Sequence, residues 1–206
     1  MAGTRYTLLI AVASVFFAGI GGVALGATAG YFGGSIDRAV TGFIDLLLTV
    51  PNLVLAIAIA AAAGASATGL TIAITASFIP PLARLVRGRV LELREEDFVA
   101  AAVTVGMSHA RILLRHVLPN AVTVIVIEMS LLAGQAVLVG SALGFLGLGV
   151  QPPAPEWGAM LGASREFFTV APHLVIAPGV AISLLVLGFN MLGDGLRDVF
   201  DPNIQS

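Results

Sequence analysis

A few polar side chains lie within otherwise apolar sequence, and these are the residues of the chain that can take part in chemistry. Glu128 and Gln135 share one apolar run, and Asn190 lies in another. An unpaired carboxylate in hydrocarbon is costly, so Glu128 is expected to face protein or water. The sequence predicts that these three residues line a pathway or a subunit interface. A protonated or hydrogen-bonded packing role is the alternative for Glu128.

The sequence gives little support for nucleophilic catalysis or for a metal site. Ser141 and His173 would be the pair for an intramembrane serine protease, but no acidic residue is evident to orient the histidine, and Ser141 lies between glycines where small side chains serve helix packing. His109 and His116 occur among arginines without carboxylate neighbours, which argues against a metal site. We expect no catalytic residue, no cofactor and no metal in this chain.

Composition excludes further classes of function and indicates a membrane protein. The chain has no cysteine, and its ten basic residues are all arginines, so it has no lysine for a Walker A loop. A net charge of −2 argues against nucleic-acid binding. Hydrophobic residues make up 58% of the chain and charged residues 11%, with a mean hydropathy of +1.01. These values are typical of a protein surrounded by membrane lipid.

Five apolar segments are long enough to cross a bilayer as helices, since ~20 residues at ~1.5 Å rise span ~30 Å. The predicted segments are residues 7–30, 42–63, 68–86, 120–149 and 172–193. Gly22, Gly26 and Gly30 recur on one face and predict close packing of the first helix. Pro51 and the proline pair at 80 and 81 are expected to bend their helices. Glycines near 147 are expected to break the fourth helix.

Arginine placement predicts the orientation, because positively charged loops remain in the cytoplasm. With residues 84–118 inside, eight of the ten arginines are cytoplasmic, and only Arg5 and Arg165 are outside. The carboxyl terminus is then cytoplasmic. Five crossings place Met1 outside, so we expect relatives of this chain to have one further helix at the amino terminus.

Residues 94–120, "REEDFVAAAVTVGMSHARILLRHVLPN", form a charged segment between two apolar runs. In its first part the following residues occur at helical spacing: Phe98, Ala101, Ala102 and Val105. Asp97 lies in the first turn of this predicted helix, where negative charge suits the helix dipole. Gly106 is expected to end the helix. On composition alone an ordinary solvated connector is an equal alternative.

A second short helix is predicted to follow within the same segment. Ser108 is suited to its N-cap, and Arg111 and Arg115 share one side of it. Pro119 is expected to push Leu118 into an extended conformation and to open the next membrane helix. The charged segment therefore predicts two short helices that protrude from the membrane.

This segment resembles the EAA motif of the transmembrane subunits of bacterial ABC importers. The resemblance is carried by Ala101, Ala102, Gly106, Leu118 and Pro119. Two positions depart from the family pattern, since Ala100 replaces the glutamate and His116 occupies the isoleucine position.

Four further stretches are similar to the second permease subunit of the dipeptide, oligopeptide and nickel uptake branch. They read "GTRYTLLI", "AGYFGGSID", "GFLGLGVQPPAPEWGAML" and "GDGLRDVFDP". The resemblance implies an all-α polytopic membrane protein with a type I ABC importer permease-like bundle. It implies five transmembrane helices and a single permease domain over residues 1–206, without the first transmembrane helix of the family.

The resemblance also implies a function and a set of partners. The chain would be a non-enzymatic permease subunit of an ATP-driven importer of peptides or a related small solute in the bacterial inner membrane. Its partners would be a second homologous permease subunit, two ABC ATPase subunits that hydrolyse ATP, and an extracytoplasmic substrate-binding protein. The alternative is an ion- or proton-coupled secondary transporter that uses Glu128.

Two loops carry the implied protein contacts. The cytoplasmic loop of about 87–118 would rest in a groove of an ATPase subunit, and its coupling residues would be Asp97, Phe98, Ala101, Ala102, Gly106, Arg111 and Arg115. The outer loop of about 150–171 would meet the binding protein through Glu156 and Trp157. Anchoring of Trp157 at the membrane interface is the alternative.

Overall fold

The computed structural model describes residues 2–200, and every regular element in that range is a helix. The last two residues of "GDGLRDVFDP" lie outside this range. The elements are α1 (Ala2–Phe32), α2 (Gly34–Leu48), α3 (Asn52–Ala63), α4 (Ala67–Arg94), α5 (Asp97–Thr104), α6 (His109–Ile112), a π-helical turn (Leu113–Val117), α7 (Leu118–Phe145), α8 (Trp157–Ser164), a 3-10 turn (Arg165–Phe167) and α9 (His173–Phe200).

Within the described residues, four helical spans are long and apolar enough to cross a membrane, and the bent pair α2 and α3 adds a fifth if it forms one span. This confirms the predicted all-α polytopic fold. The second predicted segment, 42–63, is wrong as a single helix, because its residues divide between α2 and α3 with a bend of 89°. Pro51 precedes α3 with φ −54° and ψ 134°, outside the helical region. A proline there supplies no N–H and disfavours a helical conformation for the residue before it, so α2 ends.

The helices contribute to two compact units. Among the described residues, the first unit comprises 2–17, 51–77 and 129–200, and the second comprises 18–50 and 78–128. Helices α1, α4 and α7 each pass through both units without a break. The single permease domain stays a prediction.

In the second unit, α1 and α4 pack with their backbones in close contact. A Cβ added at Gly26 would lie 2.4 Å from the carbonyl oxygen of Ala83, and one added at Gly30 would lie 2.8 Å from that of Arg87. At Gly22 an added Cβ would lie 2.9 Å from the nearest atom of α4. Only glycine permits this approach, so the close packing predicted from the spacing of these glycines is confirmed.

The second unit also holds α2 against α4 through ion pairs. Arg87 donates to both carboxylate oxygens of Asp37, with an Nη2 to Oδ2 distance of 2.7 Å, and Thr41 donates to Asp37 at 3.0 Å. Asp45 pairs with Arg84 further along α2. A two-point Arg–carboxylate contact fixes orientation as well as distance. The start of α2 is therefore held rigidly on the helix that leads to the charged segment.

Candidate functional site

Helix α5 has one face turned into the second unit and the other exposed. Val99 is 4% exposed and Ala102 is 6% exposed, whereas Phe98 is 38% exposed. Val105, directly after the helix, is 77% exposed. The exposed members of the predicted coupling set are Asp97, Phe98, Ala101, Gly106, Arg111 and Arg115. Ala102 is the exception, because the helical turn that directs Phe98 and Ala101 outward directs it toward the interior. Its predicted contact with a partner is corrected to an internal packing contact.

A glycine turn ends α5, as predicted. Gly106 has φ +76°, in the left-handed region. The Met107 N–H donates to the Ala102 carbonyl at 3.2 Å, and the Gly106 N–H donates to that of Val103 at 2.9 Å. These two bonds form the Schellman pattern, which satisfies the last carbonyl groups of a helix and needs a left-handed residue at the turn.

The second short helix of the charged segment is not separate from the membrane helix. Residues His109–Phe145 form one continuous helical span. Ser108 precedes it in the extended N-cap conformation, but its side chain makes no capping hydrogen bond. Leu118 is helical, with φ −61° and ψ −42°, so its predicted extended conformation is wrong. The π-helical turn explains this, because the Leu118 N–H bonds five residues back to Leu113 and the helix passes Pro119 without a break.

Two hydrogen bonds link α6, α1 and α4 beside α5. A hydrogen bond joins the Tyr31 hydroxyl to Nδ1 of His109 at 3.1 Å, and Tyr31 is only 6% exposed. Arg94 donates to the Tyr31 carbonyl at 3.2 Å, where it caps the end of α1. A cleft of about 630 Å³ lies beside this cluster and is lined in part by Val99 and Val103.

Tyr31, Arg94 and His109 were not singled out from the sequence as site residues. The stretch "AGYFGGSID" that contains Tyr31 carried only a family resemblance. The double glycine that follows was the available signal, since glycine commonly ends a helix and a basic side chain can bond the last carbonyl groups there.

The predicted pathway residues occupy different positions along α7 and α9. Glu128 is partly exposed within the second unit. Gln135 is exposed and Asn190 partly exposed, both in the first unit. A Cβ added at Gly134 would lie 3.1 Å from Oδ1 of Asn190, so this amide lies in the contact between α7 and α9. A pathway or interface role for the three polar residues stays a prediction.

The structure gives Glu156 and Trp157 an internal role. Glu156 is 2% exposed and caps α8, accepting from the Gly158 and Ala159 N–H groups at 2.8 Å each. The Thr7 hydroxyl donates to the same carboxylate at 3.2 Å. Trp157 is 8% exposed. The predicted contact of these side chains with a binding protein is contradicted, because both are buried inside the chain.

Close packing of α8 on α7 explains this burial. A Cβ added at Gly158 would lie 2.3 Å from the Ser141 carbonyl oxygen, and one added at Gly144 would lie 2.3 Å from Glu156 Oε2. The Oγ atom of Ser141 is buried and has no hydrogen-bond partner among the residues that the structure describes. The Ser141 and His173 pair that a serine protease requires is therefore not formed.

Comparison with known proteins identifies similar chains. A family model described as "Binding-protein-dependent transport system inner membrane component" matches residues 22–206. The chain is 47% identical over 204 residues to the dipeptide transport system permease protein DppC of Alkalihalophilus pseudofirmus, covering 99% of this chain and 67% of that protein. It is 42% identical over 204 residues to the glutathione transport system permease protein GsiD of Pectobacterium atrosepticum, covering 99% and 68%.

A solved structure shares the fold. The match is to an inward facing conformation of the MetNI methionine ABC transporter, with a TM-score of 0.77 and 19% identity over 97% of this chain and 95% of that chain. A second crystal form of the same transporter gives a TM-score of 0.78 at 18% identity. At this identity the likeness concerns the fold.

Proposed function

The chain belongs to the family of binding-protein-dependent transport system inner membrane components, and we propose that it forms the translocation pathway of an ATP-driven importer for peptides or a related small solute. The names of its relatives support the substrate class, since dipeptides and glutathione are both short peptides. The proposed partners are a second permease subunit, two ABC ATPase subunits and an extracytoplasmic binding protein. ATP hydrolysis is assigned to the ATPase subunits.

We further propose that α5 and the turn after it dock on an ATPase subunit. The observation that carries this proposal is an exposed apolar face in a charged segment. Phe98 and Ala101 are exposed on α5, and Val105 is exposed directly after it. Arg111 and Arg115 are exposed nearby in the chain. Charged side chains exclude this segment from hydrocarbon, so the apolar face is expected to be covered by a soluble protein. The arginines suit acidic groups at the rim of such an interface.

The path from α5 to the membrane supports transmission of a movement. Coupling requires a stiff connection, since a flexible loop would absorb a displacement at α5. Only Val105–Ser108 separate α5 from the continuous helical span His109–Phe145, and two backbone hydrogen bonds close that turn. The Tyr31 to His109 hydrogen bond fixes the start of this span to the end of α1.

Site-directed crosslinking tests the docking surface directly. The chain has no cysteine, so Phe98→Cys, Ala101→Cys and Val105→Cys each introduce a unique thiol. Joined to a short bifunctional reagent in the assembled transporter, these three thiols should capture an ATPase subunit. Ala102→Cys is the matched control on the same helix, because its side chain is buried and should react poorly. Capture from none of the exposed positions contradicts the proposed docking surface.

Transport in vesicles separates this proposal from the secondary-transport alternative. The assembled complex should take up a peptide only with ATP, with its ATPase subunits and with a binding protein. Gly106→Leu should leave the protein in the membrane but reduce the peptide imported per ATP hydrolysed. Uptake driven by a proton gradient without ATPase subunits, and abolished by Glu128→Gln, would instead support a proton-coupled carrier.

A further inference from the structure

Two neighbouring cavities surround the end of α7 in the first unit. The first, named here the apolar groove, has a volume of about 380 Å³ and is bordered by α7, α8 and α9. Its lining includes Ser141, Ala142, Phe145, Leu161, Gly179 and Ile182. Ser141 supplies the one polar side chain of this lining. The volume lies within the range of ~300–1,000 Å³ that is common for small-molecule sites.

The second cavity, named here the polar pocket, has a volume of about 270 Å³ and adjoins the apolar groove, since Phe145 and Leu146 line both. Its polar side chains are Gln151 and Arg165. Gln151 Nε2 already donates to the Gly147 carbonyl at 3.2 Å. Arg165 is exposed and makes no ion pair or side-chain hydrogen bond with any described residue. The polar pocket therefore presents one cationic group without an anionic partner.

We propose that the apolar groove and the polar pocket together bind one anionic phospholipid of the surrounding membrane. The acyl chain would occupy the groove, and the phosphate would lie against the Arg165 guanidinium. Two properties of the site favour this occupant. An apolar groove on membrane-spanning helices accepts a hydrocarbon chain, and an arginine guanidinium beside it binds a phosphate group. Phe145 and Leu146 border both cavities, so a single amphiphilic molecule that lies across these two side chains reaches both.

The residues that follow Arg165 agree with a position at the level of the headgroups. Phe167 is 52% and Phe168 59% exposed. Exposed aromatic side chains beside an arginine suit the boundary where acyl chains meet headgroups, because the rings contact hydrocarbon while the guanidinium reaches phosphate. The carboxylate of Glu166 is exposed and does not line the polar pocket. Arg165 is therefore the one charged residue of the pocket lining.

Native mass spectrometry of the detergent-purified, assembled transporter tests this site. After delipidation, the protein is titrated with phosphatidylglycerol and with phosphatidylcholine of the same acyl chains. Gly179→Leu adds a side chain to the groove lining, and its Cβ meets nothing within 4 Å. Gly188→Leu is the matched control on α9, because it is equally open but does not line the groove. Arg165→Gln tests the headgroup contact, and Arg5→Gln is its control.

The expected result has two parts. Gly179→Leu should remove one tightly bound lipid that the parent chain and Gly188→Leu retain. Arg165→Gln should weaken phosphatidylglycerol binding by about fivefold, the upper value for the loss of one exposed ion pair. It should weaken phosphatidylcholine binding less, because the choline cation offsets the charge of that lipid's phosphate. Arg5→Gln should bind both lipids like the parent chain.

Three outcomes would overturn the proposal. Equal binding of the two lipids to the parent chain would indicate that the bound lipid is not selected by its headgroup charge. Lipid retention by Gly179→Leu at the level of Gly188→Leu would show that the groove is not occupied by an acyl chain. Loss of a copurifying permease subunit from Gly179→Leu, with the lipid number unchanged, would identify the groove as a protein interface.

Discussion

The left-handed turn at Gly106 offers a sharp test of how α5 is held. A Cβ at this position would meet nothing within 4 Å, so Gly106→Ala adds backbone strain without a steric clash. A residue with a side chain costs roughly 1–2 kcal/mol in the left-handed region. That cost corresponds to a change of about 5- to 30-fold in the equilibrium between the closed and the open turn.

Amide hydrogen exchange measures this equilibrium. The Met107 N–H donates to the Ala102 carbonyl across the turn at 3.2 Å, so it exchanges when the turn opens. We expect Gly106→Ala to accelerate exchange in the peptide that contains Met107 by about 5- to 30-fold. Gly106→Asn should have a smaller effect, because asparagine tolerates the left-handed region.

The control and the refuting results follow from the same reasoning. Gly88 is open and does not have a positive φ, so Gly88→Ala should not accelerate exchange at Met107. Exchange of Gly106→Ala at the parent rate would show that the turn does not depend on the left-handed conformation. An effect of Gly106→Asn as large as that of Gly106→Ala would refute the strain argument.

Three further predictions concern stability in detergent. Glu156→Ala leaves two α8 N–H groups and one hydroxyl without their acceptor, and we expect the free energy of unfolding to fall by about 2–3 kcal/mol in thermal unfolding. Gly26→Ala places a Cβ 2.4 Å from the Ala83 oxygen and should cost about 1–3 kcal/mol by the same measurement. Tyr31→Phe removes the hydrogen bond to His109 and should lower the local stability of α6 by about 0.5–1.5 kcal/mol. Amide exchange in α6 should accelerate accordingly.

Each of these predictions has a matched control. Glu166→Ala removes an exposed carboxylate after α8, and Gly42→Ala adds a Cβ in open space. Tyr6→Phe removes a hydroxyl from an exposed tyrosine of α1. Each control should leave the measured quantity unchanged. Equal losses in a variant and its control would show that the structural contact assigned to that position does not determine the effect.

Several features of the fold were predictable from local sequence. The first predicted segment, 7–30, lies within α1, and α9 contains almost all of 172–193, because apolar length alone determines which helices can cross a bilayer. The turn at Gly106 was predictable because glycine favours the left-handed end of a helix. The close packing at Gly26 followed from glycine spacing on one helix face.

Other features depended on hydrogen bonds that local sequence does not reveal. Hydropathy over 42–63 is continuous, although the backbone bends by 89° near Pro51. Pro119 was expected to open a new helix after an extended Leu118, whereas the Leu118 N–H bonds five residues back and the preceding helix continues through Pro119. The helix ends before Pro51 but continues through Pro119, because the backbone before Pro119 forms an alternative hydrogen bond within the helix.

For the candidate site, the sequence by itself determined the residue types and their helical spacing, whereas only the tertiary structure decided which side chains are exposed. Spacing placed Phe98 and Ala102 in one apolar set, but packing in the second unit exposes the first and buries the second. Glu156 was expected to contact a binding protein from the outer loop, yet it is buried as the cap of α8. A carboxylate tolerates burial where N–H and O–H groups converge on it, and that convergence here includes Thr7, which is distant in sequence.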